Sequence, residues 1–218
     1  MQNTIRLFDL DSYMQAFDAT VLDCTPDGDR FAVVLDKTAF FPEEGGQYSD
    51  RGYIESARVS DVREESGVIY HLADSPVTIG ASVNCKIDFD ERYEKMQCHT
   101  AEHILSGLIN AQFGYLNVGF HVGKEFMEVD FSGPMTWEQA MELEAKANAA
   151  IWQNLPIRCW YPTQEELPNV PYRTKKALPW PVRIVEVPGF DRCACCGVHV
   201  AHTGEVGIIK ILSVAKFH

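Results

Sequence analysis

The sequence lacks long apolar runs and has few basic residues, and both shortages exclude classes of protein. No uninterrupted apolar stretch reaches the roughly 18 residues that a membrane span needs, so we expect no transmembrane helix. Residues 1–6 are followed by acidic and polar residues, which is not the pattern of a secretory signal. Lys and Arg number 19 against 31 Asp and Glu, and the formal net charge of −12 argues against non-specific nucleic-acid binding, which depends on neutralising phosphates.

The seven cysteines lack the regular spacing of a disulfide framework, and their number is odd. Both properties are typical of a protein from a reducing compartment, where thiols stay free or bind metal. We therefore expect a cytoplasmic protein in which some cysteines serve as metal ligands.

Two patterns predict an α+β chain with a domain boundary near residue 88. Residues 1–88 contain short alternating segments separated by turn residues, which indicates a small β-barrel or a sandwich. Residues 89–218 contain two helical patterns, over 91–113 and 137–153, with Gly114 as the stop of the first. Short strands are predicted in this part near 117–121, 125–131, 183–187 and 206–212.

Two distant residue pairs carry the most specific chemical signal. His99 and His103 are four positions apart within the first helical pattern, so both imidazoles lie on one helix face. Cys195 and His199 have the same spacing near the C-terminus. Three imidazoles and a thiolate form a tetrahedral set suited to zinc, and we predict one Zn²⁺ per chain at these four residues. Three other thiols are nearby alternatives, at Cys98, Cys193 and Cys196.

Glu102 directly precedes His103 on the same predicted helix. A carboxylate beside the ion can orient or deprotonate a water molecule, which makes Glu102 the candidate catalytic base. The alternative is a solvated glutamate on the helix surface.

A glycine-rich segment, residues 40–50, contains the sequence Gly45-Gly46-Gln47. Paired glycines allow close approach of the backbone to a ligand, or a tight turn with positive φ. The tripeptide is also similar to that of peptide-chain release factors, which act on an ester at the end of a tRNA.

The densest positive segment contains four basic residues, with Tyr172 and Trp180 interleaved. They are Arg173, Lys175, Lys176 and Arg183. Basic and aromatic residues together are typical of a nucleic-acid contact, and the alternative is a solvated loop.

Four stretches together resemble the AlaX family, the free-standing relatives of the editing domain of alanyl-tRNA synthetase. They are residues 38–52, 99–103, 119–123 and 195–205, and they occur in the order of the family's motifs. In the last stretch, Cys196 and Val198 stand where the family usually has glycine and threonine. Glu102 stands where the synthetase relatives often have threonine.

The resemblance implies a zinc-dependent hydrolase that removes serine, with glycine as a second candidate, from the tRNA for alanine. It also implies an N-terminal β-barrel, followed by an editing domain in which helices pack on an antiparallel sheet. The partner would be the mischarged tRNA, no membrane partner is expected, and Thr100 and His121 would line the pocket together with the Gly45–Gln47 segment. Aminoacylation is not expected, because the sequence contains no motif for it.

Two other functions fit parts of the pattern. The spacing from His99 through Glu102 to His103 also matches a class of zinc peptidases in which the glutamate is the general base. That class needs a downstream carboxylate ligand and leaves Cys195 and His199 without a role. A non-catalytic, zinc-stabilised module that binds tRNA or a protein is the second alternative, and a closed four-ligand site would favour it.

Overall fold

The computed structural model describes residues 3–123, 126–174 and 178–216. The chain divides into two compact units, Met1–Lys95 and Met96–His218.

Eight β-strands make up most of the first unit. They are β1 (Ile5–Arg6), β2 (Ala16–Asp27), β3 (Arg30–Leu35), β4 (Lys37–Thr38), β5 (Gly52–Ile54), β6 (Ala57–Glu65), β7 (Val68–Ala73) and β8 (Ser82–Ile87). Six of them pair in antiparallel fashion in the order β2-β3-β7-β6-β5-β8. This order closes on itself, because the 12-residue β2 pairs with β3 along one part and with β8 along another.

The ring of strands follows the period of two in the sequence. Along β8, exposed and buried residues alternate, with Val83, Cys85 and Ile87 facing inward. A pleated strand places successive side chains on opposite faces, so one face of β8 supplies the core and the other meets water.

A buried ion pair fixes the glycine-rich segment of the first unit. Nε and Nη2 of the Arg92 guanidinium both contact the Asp50 carboxylate, and Nη2 also donates to the carbonyl of Ala39 at 2.6 Å. Nη1 donates to the carbonyl of Ser12 at 3.0 Å, and the Asp50 carboxylate accepts the backbone N–H of Phe41 at 2.6 Å. Arg92 and Asp50 are almost completely buried, and these bonds satisfy both charged groups.

The second unit contains most of the first helix, the whole of the second and five strands. They are α1 (Phe89–Phe113), β9 (Asn117–Val122), β10 (Met127–Phe131), α2 (Trp137–Trp152), β11 (Arg158–Trp160), β12 (Ile184–Val187) and β13 (Asp191–Ala194). β9 and β10 form an antiparallel pair, and β11-β12-β13 form a separate three-stranded antiparallel sheet. A core of apolar side chains joins the two helices, β12 and the C-terminal segment, with Ile104, Ala147, Val187 and Ile209 among its members.

The structure confirms an α+β chain with mostly antiparallel pairing. It also confirms both helices, with Gly114 in the left-handed region (φ +72°) as the stop of α1. The strand predicted over 206–212 is wrong: Thr203–Val206 form a 3₁₀ turn, and the segment after it is irregular. That segment bonds to side chains of α2 instead of a strand, since Ile209 N donates to Asn148 and Ile211 N to Glu144.

Neither helix in the described part of the chain combines the length and the hydropathy that a membrane span requires.

His71 lies at the centre of a buried hydrogen-bond chain in the first unit. Its Nδ1 lies 3.0 Å from the carbonyl of Val33, which can only accept, so Nδ1 carries the proton. Nε2 therefore accepts the hydroxyl of Thr38 at 2.8 Å, and that hydroxyl oxygen accepts the N–H of Phe40. Burial lowers the pKa of His71 to about 4, because a charged ring there would lose its water, and the bond to the carbonyl of Val33 offsets only part of this loss.

The stability of the first unit should fall with acid because of His71. The unfolded chain binds a proton below about pH 6.5 and the folded chain only near pH 4, so the free energy of unfolding decreases between these values. From pH 7 to 4.5 the loss attributable to this group is about 2 kcal/mol. Urea unfolding should show a smaller loss in His71→Gln than in the wild type. Circular dichroism is the better probe, because all tryptophans lie in the second unit and their fluorescence would not report on the unfolding of the first. Equal losses in both proteins would contradict the assignment.

Candidate metal centre

One face of α1 carries the polar residues of the site. His99, Glu102, His103 and Ser106 follow the spacing i, i+3, i+4, i+7, which aligns their side chains along two turns of helix. All four side chains are buried, although burial normally selects apolar residues. Such a buried polar stripe needs partners from other elements of the second unit.

The loop after β13 supplies Cys195 and His199 to this face. One donor atom from each of His99, His103, Cys195 and His199 lies within 4.8 Å of the others. Sγ of Cys195 is 3.4 Å from Nε2 of His99 and 3.6 Å from Nε2 of His199. The three imidazoles are almost completely buried, and Cys195 is half-buried.

These separations fit a tetrahedral zinc ion. With Zn–S of about 2.3 Å and Zn–N of about 2.0–2.1 Å, tetrahedral angles place a sulfur and a nitrogen ligand about 3.5 Å apart. The two measured S–N distances, 3.4 and 3.6 Å, lie on either side of that value. The donor set therefore fits zinc in both chemistry and spacing, and it uses Cys195 and not Cys98, Cys193 or Cys196.

The electrostatics of the cluster favour a thiolate. Burial alone would raise the pKa of Cys195, but the charges of His99 and His103 and hydrogen bonds from His103 and His199 lower it well below its usual value. Burial lowers the pKa of His199 well below its usual value, and the neighbouring His99 adds to this. The thiolate is the form that binds metal. Burial would lower the pKa of His103, but Cys195 and Asp191 raise it well above its usual value, so zinc binding at this ring has to release a proton.

Arg183 holds the loop that carries Cys195. Its Nη1 donates to the carbonyls of Cys195 at 3.1 Å and Gly197 at 2.7 Å, and its own carbonyl accepts the N–H of Cys195. The N–H of Gly197 points at Sγ of Cys195 at 3.4 Å. The side chain of Arg183 is buried, so its charge serves this loop and does not face solvent, where a phosphate would have to bind.

Thr100 orients His199. Its Oγ1 lies 3.1 Å from Nδ1 of His199 and accepts the N–H of Val200 at 3.3 Å. A ring that binds metal through Nε2 carries its proton on Nδ1 and donates it to such an oxygen. The structure therefore places Thr100 behind a donor residue, where its hydroxyl supports the imidazole.

Asp191 and Arg173 stand behind His103. Oδ2 of Asp191 lies 3.0 Å from Nδ1 of His103, close enough to keep a proton on that nitrogen and leave Nε2 for a metal ion. Arg173 holds the same carboxylate with two bonds, of 3.1 and 2.9 Å. Burial would raise the pKa of Asp191, but His103 and Arg173 lower it below its ordinary value and keep the carboxylate ionised.

Gly107 makes the approach of Asp191 possible. It lies one turn after His103 on α1, and a Cβ there would stand 2.2 Å from the carbonyl oxygen of Phe190 and 2.6 Å from Cβ of Asp191. Neither contact is sterically allowed, so only glycine lets the chain pass this close to the helix.

Glu102 is buried beside the cluster. Its Oε1 accepts hydrogen bonds from Ser106 and Asn117, and its Oε2 lies 3.9 Å from Nε2 of His103. The sequence alternative of a solvated helix glutamate is therefore wrong, and the role of Glu102 as a base stays a prediction.

A bulge in β9 decides which of its side chains face the cluster. Phe131 pairs with Asn117 and Asp130 with Gly119, so Val118 is an extra residue. Asn117 and Phe120 consequently share a face: Asn117 contacts Glu102, and the ring of Phe120 stacks on His99 with centroids 5.4 Å apart. His121 is exposed, and the alternation of the strand after Phe120 turns it to the opposite face of β9, so its role as pocket lining stays a prediction.

The remaining predicted site residues belong to the first unit or fall outside the described residues. Gly45 and Gly46 belong to the first unit, where both have positive φ and occupy the centre of a turn closed by Glu44 and Gln47. Gln47 is buried. Lys175 and Lys176 lie outside the described residues.

The sequence interpretation missed four residues of the site: Ser106, Asn117, Phe120 and Asp191. Ser106 had a signal, because it lies seven positions after His99 on the same helix face. The other three come from strands whose position relative to α1 depends on tertiary packing.

Two family models match the chain. The model for class II (A) tRNA synthetases matches residues 13–91, and the model for the threonyl and alanyl tRNA synthetase second additional domain matches residues 182–216.

Several curated proteins are similar over nearly the whole chain. Alanyl-tRNA editing protein AlaX-L from Pyrococcus horikoshii is 33% identical over 97% of this chain and 54% of its own length. Alanine–tRNA ligase from Ignicoccus hospitalis is 37% identical over 98% of this chain and 24% of its own length. Alanyl-tRNA editing protein Aarsd1 from Mus musculus is 30% identical over 94% of this chain and 54% of its own length. The chain thus spans about half the length of the editing proteins that it matches.

Removing the charge behind His103 should weaken metal binding. We expect Asp191→Asn to lower the affinity for Zn²⁺ by about 10- to 100-fold, because the ring loses the carboxylate that orients it. Gly107→Ala should have a similar effect by displacing Asp191. Competition with a chromophoric chelator measures the affinity, and Asp130→Asn, on the exposed part of β10, is the control. Wild-type affinity in Asp191→Asn would refute the role of this carboxylate.

Proposed function

Because the chain belongs to the AlaX family of alanyl-tRNA editing proteins, we propose that it is a zinc-dependent hydrolase acting on mischarged tRNA. The substrate is the ester that joins serine to the tRNA for alanine, with the glycine ester as a second candidate. The observation that carries the proposal is the convergence of His99, His103, Cys195 and His199, with the carboxylate of Glu102 beside them. The names of the relatives, two editing proteins and an alanine–tRNA ligase, supply the substrate class.

The four donors would hold one Zn²⁺ per chain. When bound, the ion supplies a Lewis acid that polarises the ester carbonyl and favours attack by water. The protein contributes the orientation of the donors through Thr100, Asp191 and Gly197, which contact His199, His103 and Cys195.

Glu102 is the proposed general base. Its Oε2 takes a proton from the attacking water as the water oxygen bonds to the carbonyl carbon. The ester C–O bond to the terminal ribose then breaks, and the proton passes to the leaving ribose oxygen. The products are the free amino acid and a tRNA with an intact terminal hydroxyl.

An editing reaction fits the discrimination problem that these amino acids pose. A pocket built for alanine cannot reject the smaller glycine by size, and it cannot strongly reject serine, which only adds a hydroxyl. A second site that hydrolyses the wrong ester restores accuracy, and it needs no ligation activity of its own.

Substrate and tRNA contacts remain proposals of unequal support. We retain the turn at Gly45, Gly46 and Gln47, together with His121, as substrate-contact elements on the strength of the resemblance alone. For Thr100 we propose the orientation of His199 in place of pocket lining. For the tRNA we retain Lys175 and Lys176. Arg173 and Arg183 we assign to support of the site, because their guanidinium groups are engaged within it.

Three broader expectations also stay proposals. We interpret the closed ring of strands in the first unit as the small β-barrel, place the domain boundary near residue 88, and expect a cytoplasmic location. The mischarged tRNA is the proposed partner.

A non-catalytic zinc module is the second candidate function. Four protein donors complete a tetrahedron, and the three imidazoles are almost completely buried, which are both properties of structural zinc sites. A peptidase is disfavoured, because the histidine pair is joined by Cys195 and His199 in place of a carboxylate ligand.

Deacylation should be directly measurable. Purified protein loaded with Zn²⁺ is expected to release labelled serine from Ser-tRNA for alanine far faster than buffer does, and to leave Ala-tRNA largely intact. His103→Ala should lose both zinc and activity, since it removes one of the four donors. A protein that binds zinc and tRNA but releases no amino acid would favour the non-catalytic module.

Glu102→Gln separates the base from the metal site. The amide cannot accept a proton, so we expect turnover to fall by about 10²-fold or more while zinc content stays at the wild-type value. Glu142→Gln, an exposed glutamate on α2, is the matched control and should keep full activity. An unchanged rate in Glu102→Gln would remove this carboxylate from the mechanism.

A further inference from the structure

We propose that Asn117 and Ser106 are positioning residues that fix the Glu102 carboxylate with one oxygen toward the metal centre. This inference rests on the proposed function, because it concerns how the base of that reaction is oriented. It assigns a role in turnover to two residues that bind no metal.

The hydrogen bonds to Glu102 are one-sided. The side chains of Ser106, on α1, and Asn117, on β9, both donate to Oε1. Oε2 lies on the other side, 3.9 Å from Nε2 of His103. A carboxylate rotates readily about its last bond, and two donors from different elements on the same oxygen define that rotation. The geometry therefore keeps Oε2 beside the four donors.

Burial makes these two bonds consequential. Glu102, Ser106 and Asn117 are 5%, 1% and 4% exposed. A buried carboxylate that loses a donor pays for the missing hydrogen bond, and it relaxes toward any other donor within reach. Without Asn117 or Ser106, the rotation of the carboxylate is no longer defined, and Oε2 does not stay on the side of the four donors.

The bulge in β9 is part of the same arrangement. It brings Asn117 onto the face of β9 that meets α1. Leu116, the residue before Asn117, is held in place as well, because Leu116 and Ser132 exchange two hydrogen bonds, each of 2.9 Å. The amide of Asn117 thus reaches Glu102 from a backbone that is fixed on its N-terminal side.

A positioning role predicts a specific kinetic pattern. Displacing a base by about 1 Å lowers kcat strongly, whereas substrate binding by the rest of the site persists. A merely structural role predicts lower stability without this separation of kcat from KM.

The test is a double-mutant cycle with an isosteric change. Asn117→Asp keeps the volume but replaces the donor by an acceptor, so it should lower kcat for Ser-tRNA deacylation by about 10-fold or more, with KM within about 2-fold of the wild type. In the Glu102→Gln background the same change should lower kcat by less than about 2-fold, because the group that it positions is already absent. Ser106→Ala should behave in the same way.

Asn148→Asp is the matched control. Asn148 is also a buried asparagine of the second unit, but its amide donates to the carbonyls of Glu144 and Ile209, away from Glu102. The control should lose stability and keep kcat. Two readouts that do not depend on turnover complete the set: zinc content by chelator titration, and the affinity for the seryl amide of 3′-amino-3′-deoxyadenosine, which cannot be hydrolysed. Both should stay near wild-type values in Asn117→Asp.

The outcomes separate this inference from the function on which it rests. A wild-type protein that does not release serine overturns both. An active wild type in which Asn117→Asp matches Asn148→Asp overturns the positioning role alone. If Asn117→Asp lowered kcat by the same factor in the wild-type and Glu102→Gln backgrounds, the positioning role would also be overturned, since Asn117 would then act independently of Glu102. Loss of zinc in Asn117→Asp would reassign Asn117 to the metal centre.

Discussion

The site depends on one physical condition, which is that three imidazoles and a thiol share a buried space small enough for a single ion. Two of the imidazoles come from adjacent turns of one helix, so their spacing is a property of helical geometry. The other two donors come from a loop that Arg183 holds by its carbonyl groups. The helix therefore fixes the positions of two donors, and the hydrogen bonds from Arg183 to backbone carbonyls fix the loop that carries the other two.

Polar groups that donate no ligand atom make this burial tolerable. Asp191 contacts His103 and is held by Arg173, Thr100 contacts His199 and the N–H of Val200, and Asn117 donates to Glu102. Buried polar groups are stable when they are paired, and partly satisfied networks are costly. The supporting residues thus give separate parts of the buried stripe, and the loop facing it, their polar partners.

The four donors and both helices could be predicted from the sequence, because local spacing determines them. The residues that support the donors could not, since their positions depend on packing between elements distant in the chain. β9 illustrates the difficulty: regular alternation from Asn117 would place His121 on its face, but the extra residue Val118 exchanges the faces and brings Phe120 to His99 instead. The strand prediction for 206–212 was wrong for a similar reason. Its apolar pattern resembles a strand, yet Glu144 and Asn148 of α2 satisfy its backbone.

The pairing of Arg92 with Asp50 has a practical consequence for protein engineering. One guanidinium group reaches Asp50, Ala39 and Ser12 at once, which the single ammonium of a lysine cannot do. Charge-conserving exchange at this position is therefore not conservative. A randomised library of residues 43–49 would vary the turn while Arg92 and Asp50 keep the surrounding backbone in place. Differences among the selected variants would then come from the turn sequence and not from unfolding of the segment.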